Sequence, residues 1–137
     1  KTYDKIISKN DIKLKFNKID NFKIIGDRDK LIEIFTNLID NSIKYSDKNK
    51  EITITAKKEN DLNIISVEDK GIGIPKEFIH RITERFFTVD PSKSRSVGGT
   101  GLGLAIVKHL VAQHRAEMFI NSVKNQGTTV EIKFKAL

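Results

Sequence analysis

The sequence predicts an α+β fold: a two-layer sandwich in which about three helices cover one face of a mixed, mostly antiparallel sheet. Three observations carry this expectation. Residues near 30–46 and 102–114 repeat apolar side chains at the 3.6-residue period of a core-facing helix. Six short segments rich in Ile, Val, Phe and Thr read as strands. The strands also cluster between and after the helices instead of alternating with them one for one, which disfavours a parallel doubly wound sheet.

Each element has a local reason. "IKLKF" at 12–16 alternates apolar and basic residues, and "FKII" at 22–25 reads as its strand partner. Asp27 or Asp29 in "GDRD" can cap a helix that begins near Lys30, with Leu31, Ile34, Phe35, Leu38 and Ile39 as its core stripe. "EITITAKKEN" and "LNIISVED" are strands joined at "ENDLN" as a hairpin, and "KGIGIP" is a glycine–proline turn. "KEFIHRITERFF" supports one or two short helical turns. Residues 88–101 are polar and glycine-rich, suited to a mobile loop. "LGLAIVKHLVAQH" is the second long helix, and "EMFINSV" and "TTVEIKF" close the chain as strands.

The 137 residues suit one domain with a real core. No apolar run approaches the ~20 residues of a membrane-spanning helix. With no cysteine, disulfides and thiolate metal sites are excluded. The net charge of +7 is spread over both halves, without a basic tail or interleaved aromatics, and gives no specific sign of nucleic-acid binding. An anionic small ligand suits it equally. The start at Lys1 and a sole methionine at 118 set the expectation of a fragment of a longer protein.

Polar residues break the core pattern in two places. On the first helix, Glu33, Asn37, Asn41 and Lys44 or Tyr45 share one face beside the apolar stripe. Asparagine favours caps and turns over helix interiors. A solvated face would explain one of the two; oxygen ligation of Mg²⁺ beside a polyphosphate would explain both, because an amide oxygen is a hard ligand that adds no negative charge. In "VEDKGIGIP", Asp69 emerges from the apolar run "NIISV". A capped turn accounts for the glycines, but a partly buried carboxylate needs a donor, and the exocyclic amine of a purine is a good one.

"GGTGLG" places four glycines in six positions directly before the second helix. It lacks the P-loop spacing. It also lacks the dinucleotide fingerprint, since no strand precedes it and Leu104 or Ile106 falls where the third glycine belongs. Alternating glycines at a helix start do let backbone N–H groups approach an anion at the positive end of the dipole. Gly99, Gly101 and Gly103 would form this approach, with Lys93, Arg95 and Lys108 adding charge.

Together these segments resemble the catalytic, ATP-binding domain of sensor histidine kinases, within the superfamily that includes gyrase, Hsp90 and MutL. The match runs over residues 22–134. "NLIDNSIKY" resembles the asparagine box, "EDKGIGIP" the first glycine box, "ERFFTVD" the phenylalanine box, "GGTGLGLAIVKHLVAQH" the second glycine box and "GTTVEI" the closing segment. The resemblance implies a Bergerat-type fold over residues 11–137, with residues 1–10 as the remnant of a connecting helix. It implies ATP and Mg²⁺ as ligands, with Asn41 on the metal, Asn37 and Lys44 toward phosphate, and Tyr45 beside the nucleotide. Asp69 would accept from the adenine amine, Gly71, Gly73 and Ile74 would shape that pocket, and Thr128 would support it through water. Arg95, Gly99, Thr100, Gly101, Leu102, Gly103 and Leu104 would form the lid and phosphate cradle, and Arg85 to Phe87 would help the lid meet the phosphoacceptor helix.

The superfamily's water-activating glutamate is replaced by Asn37, which implies slow hydrolysis and transfer to histidine instead. Thr83 and Thr88 depart from the phenylalanine box, and "HRAEM" replaces the usual glycines after His114. The stretch from "TERFF" onward is reminiscent of phosphate-regulon-type sensor kinases. His80, His109 and His114 are followed by Arg81, Leu110 and Arg115, not by the acidic residue of a phosphoacceptor. The implied partners are therefore a separate phosphoacceptor histidine domain and, indirectly, a response regulator, with no nucleic acid. The chain itself would be monomeric and cytoplasmic, its parent a membrane-anchored homodimer. A serine-directed relative, a non-catalytic module and a nucleic-acid binder are the competing readings; the phenylalanine box disfavours the first and the intact nucleotide boxes the second.

Overall fold

The computed structural model describes residues 13–20, 24, 26–45, 51–84 and 103–135. Their elements are β1 (Lys13–Ile19), α1 (Arg28–Tyr45), β2 (Glu51–Glu59), β3 (Leu62–Asp69), a 3₁₀ turn (Lys76–Phe78), α2 (Gly103–Gln113), β4 (Glu117–Val123) and β5 (Gly127–Lys135). The five strands form one sheet in the order β1-β2-β3-β5-β4. All neighbours are antiparallel except β1 and β2.

β1 pairs in parallel with β2, from Lys13 opposite Glu51 to Ile19 opposite Ala56; three of the four residues expected as its partner, 22–25, lie outside the described residues. Of those four, Ile24 is described; it lies in no strand and packs against the core. Parallel neighbours need a crossover, and α1 supplies it. The alternation in "IKLKF" fixes which side chains face inward but says nothing about which strand lies alongside. The β2–β3 hairpin forms as expected, with Asn60 taking the positive φ of 56° at its turn.

α1 begins where its cap dictates. Asp27 Oδ1 accepts from the Lys30 N–H at 3.1 Å and Asp27 O from the Leu31 N–H at 2.9 Å. Asp29 adds a favourable charge in the first turn. Ile34 and Leu38 are fully sequestered, while Leu31, Phe35 and Ile39 are partly buried at the edge of the same stripe. α2 contributes Leu104, Val107, Leu110 and Val111. Both helices lie on the sheet face formed by Ile52, Val67, Val130, Ile132 and Phe134. No helix among the described residues is long and apolar enough to cross a membrane.

The two helices are tied end to end. His114, at the exit of α2, donates from Nδ1 to Leu110 O at 2.8 Å, and its Nε2 accepts from the Asp27 N–H at 3.2 Å. Since Leu110 O can only accept and the Asp27 N–H can only donate, the ring is neutral and protonated at Nδ1. Gly26 is required here, because a Cβ would overlap the imidazole. His114 is thus a packing residue, while His80 and His109 are exposed.

α2 ends in a Schellman motif. The Ala116 N–H reaches Val111 O at 3.1 Å and the Arg115 N–H reaches Ala112 O at 3.0 Å. Arg115 therefore takes φ = 55°, a left-handed position normally held by glycine. Arg115→Gly is expected to stabilise the domain by about 1 kcal/mol, seen as a rise of about 2–6 °C in the melting temperature by circular dichroism. An unchanged or lower melting point would contradict this helix-end geometry.

Candidate functional site

The sheet carries a transverse row of four residues at one end: Ile52 on β2 opposite Asp69 on β3, Asp69 opposite Thr128 on β5, and Thr128 opposite Ser122 on β4. Residues directly opposite in antiparallel strands share a face, so this row points toward the helices. Ile52 is fully buried and belongs to the core. Asp69 sits beside it with 8% of its surface exposed.

A carboxylate this close to the core must be satisfied. Asp69 Oδ1 accepts from the Gly71 N–H at 2.9 Å, and the Ser42 side chain and Thr128 main chain also hydrogen-bond to it. Desolvation is nevertheless the largest influence and pushes its carboxyl above the ordinary range. The three hydrogen bonds oppose this, and Glu68 adds to the rise. The site therefore holds an acceptor that would gain from a further donor.

The loop after Asp69 is held down on β4 and the following turn. The Asn125 N–H donates to Ile72 O at 2.6 Å, and the Ile74 N–H donates to Ser122 Oγ at 2.7 Å. Gly73 has φ = 69°, and a Cβ there would overlap the Val123 carbonyl. Gly127, at φ = 129°, is equally constrained against the Asp69 carbonyl. Gly71 and Gly73 are both buried, so the first glycine motif builds a close backbone approach around Asp69.

α1 supplies the other side. The Asn37 side-chain amide donates to Glu33 O at 2.9 Å, leaving Oδ1 free of that bond. A Cβ built on Gly103 would come within 3.8 Å of Asn37 Oδ1. The asparagine oxygen thus faces the first residue of α2, where unpaired main-chain N–H groups gather. Asn41 follows one turn later and is half-buried. Leu104 packs in the core, which leaves its main chain as the part able to meet a ligand. Lys108 is exposed on α2.

The structure therefore brings Asn37 and Gly103 together, and Asp69, Gly71, Gly73, Ile74 and Thr128 into one cluster linked to α1 through Ser42. Lys44 and Tyr45 occupy the last turn of α1, but their side-chain roles lie outside the described residues. So do Lys93, Arg95, Gly99, Thr100, Gly101, Leu102, Thr88 and the segment from Arg85 to Phe87. Ser42, Ser122 and Gly127 belong to the cluster without having been singled out from sequence. Ser42 carried one signal, a small polar residue one step from Asn41 on a buried face.

Among the described residues no group of three His, Cys, Asp or Glu side chains converges to hold a metal. Among the described residues the α1 asparagines offer neutral amide oxygens, which are hard donors.

A mixed sheet covered on one face by an asparagine-bearing helix and a glycine-led helix defines an ATPase-type α+β domain. The model of the histidine kinase-, DNA gyrase B- and HSP90-like ATPases matches residues 26–137, and the chain belongs to that family. Sensor histidine kinase WalK of Bacillus subtilis is 42% identical over 106 residues, covering 76% of this chain and 17% of WalK. The phosphate regulon sensor protein PhoR of Pseudomonas aeruginosa is 42% identical over 109 residues, covering 80% of this chain and 25% of PhoR. The solved structure of the mycobacterial sensor histidine kinase MprB superposes with a TM-score of 0.83 at 26% identity, covering 98% of this chain and 89% of that one. The chain spans a quarter or less of the length of these two curated relatives.

The burial of Asp69 has a consequence for stability. The folded state favours the neutral acid relative to the unfolded chain, whose carboxyl titrates at about 3.9. Its contribution is complete below that value and is lost as pH rises through the folded-state value. Asp69→Asn preserves the shape without the titration. Urea unfolding from strongly acid to neutral pH should show the stability difference moving in favour of the Asn variant as pH rises. A constant difference would mean that Asp69 is not desolvated.

Proposed function

We propose that this chain is the catalytic ATP-binding domain of a sensor histidine kinase, transferring the γ-phosphate of ATP to a histidine on a separate dimerisation domain. One observation carries the reading: α1 connects two unlike polar poles, Asp69 through Ser42 and the start of α2 through Asn37. At one, Asp69 is a buried acceptor suited to the adenine amine. At the other, Asn37 Oδ1 faces the glycine-led start of α2, where main-chain donors favour phosphate.

Mg²⁺ fits this second pole. The ion prefers hard oxygens and usually keeps waters and substrate phosphates beside one or two protein ligands. Asn41 would hold it, with Asn37 on the phosphate side. Neither adds a negative charge to a triphosphate. When bound, the ion supplies charge neutralisation of the phosphate oxygens.

The protein's own part in the transfer is positioning and electrostatic stabilisation. Asp69, with the loop at 70–75 and Thr128, fixes the base. The N-terminus of α2 would hold the phosphates, the role that the resemblance also implies for Lys44 and the glycine segment at 99–103. The resemblance puts Asn37 in place of the superfamily's water-activating glutamate. An amide does not take up a proton at neutral pH, so bound ATP should hydrolyse slowly.

In this reading the acceptor comes from a partner domain: His114 is committed to packing, and neither His80 nor His109 is followed by an acidic residue. In the same reading a response regulator receives the phosphate afterwards, and the parent is a membrane-anchored homodimer whose catalytic domains are cytoplasmic.

Calorimetric titration with a non-hydrolysable ATP analogue should give saturable one-to-one binding that strengthens with Mg²⁺. Asn41→Asp should weaken Mg²⁺-dependent binding by about tenfold or more, because a carboxylate repels the phosphates at short range, with an unchanged circular dichroism spectrum. Absence of binding by the folded, unaltered chain would exclude this function.

A further inference from the structure

Ser122 stands at the crossing of three hydrogen bonds. Its Oγ accepts from the Ile74 N–H at 2.7 Å, donates to Gly127 O at 3.0 Å, and lies 2.8 Å from Thr128 Oγ1. The directions of these bonds follow from chemistry. An amide N–H can only donate and a carbonyl can only accept, whereas a serine hydroxyl has one hydrogen. Once that hydrogen goes to Gly127 O, the Thr128 hydroxyl must donate to Ser122. Thr128 then presents only lone pairs to the space beside Asp69, its partner in the strand register.

We infer that Ser122 is a positioning and specificity-determining residue: it fixes the Thr128 hydroxyl as an acceptor, so that the end of the pocket at Asp69 selects a base bearing an exocyclic amine over one bearing a carbonyl. The inference rests on the proposal above that Asp69 receives the nucleobase, and it assigns the choice between amino- and oxopurines to a residue two strands away. On that proposal two neighbouring acceptors, the Asp69 carboxylate and the Thr128 oxygen, would face the base. An adenine amine can donate to them directly or through a water that Thr128 orients. A 6-oxo group meets lone pairs on both sides. The same hydroxyl anchors the loop at Ile74, so the base-facing loop and the polarity of Thr128 are set by one atom.

The test compares ADP with IDP, which replaces the 6-amino group by a carbonyl, in calorimetric titrations of the unaltered chain and of Ser122→Ala, Ser122→Thr and Thr128→Val. The unaltered chain should prefer ADP. In Ser122→Ala the Thr128 hydroxyl is released to donate, and the ADP-to-IDP preference should fall by about tenfold. Ser122→Thr retains the hydroxyl and should keep the preference. Thr128→Val removes the acceptor itself and should reproduce the loss, which keeps the test decisive if Ser122→Ala folds poorly. An equal weakening of both nucleotides in the alanine variant would mark a purely structural role and overturn the inference. So would a preference left intact by both Ser122→Ala and Thr128→Val. A folded, unaltered chain that binds neither nucleotide would instead overturn the nucleotide reading, and the inference with it.

Discussion

The constraint on which the rest depends is the need to cover one apolar face of a twisted sheet. Ile52, Ile132 and Val107 are completely removed from water, along with Ile34 of α1. Such burial is the main favourable term in folding, and it holds α1 and α2 against the sheet and against each other. The site is built where that cover reaches the end of the sheet. Asp69 lies in the same transverse row as Ile52, so it inherits the dryness of the core without sharing its chemistry. Its hydrogen bonds to Gly71, Ser42 and Thr128 are consequences of that placement.

The helix pair supplies the second half of the architecture. The exit of α2 meets the entrance of α1 through His114 and Asp27, while the entrance of α2 meets the middle of α1 at Asn37. Two contacts along one helix fix its direction and its height. The glycine that opens α2 is thereby presented to an asparagine oxygen, about one and a half turns along α1 from Ser42, which bonds to Asp69.

Much of this was legible in the sequence because local signals and global packing agree. Asp27 was one of two visible caps, Ile34 and Leu38 were part of a visible stripe, and the break from "NIISV" to Asp69 announced a carboxylate in a dry place. The pairing of β1 was not legible, since alternation encodes a face and not a neighbour. Leu31, Phe35 and Ile39 belong to the same apolar stripe as Ile34 in the sequence, yet they are only partly buried in the fold. Ser122 gave no signal at all. It is one polar residue on a strand, and its importance comes from three partners contributed by two other segments.

The two glycines that touch main chain, Gly73 and Gly127, bear on how variants of this domain should be interpreted. Each is excluded from carrying even a methyl group by a carbonyl of the protein itself, with no ligand involved. A descendant that had ceased to handle phosphate would still be unable to replace them without losing the hairpin and the loop. Retention of this motif therefore testifies to an intact scaffold. On the function proposed above, whether the scaffold still works is written elsewhere, in the amides of α1 and the hydroxyls at the end of the sheet.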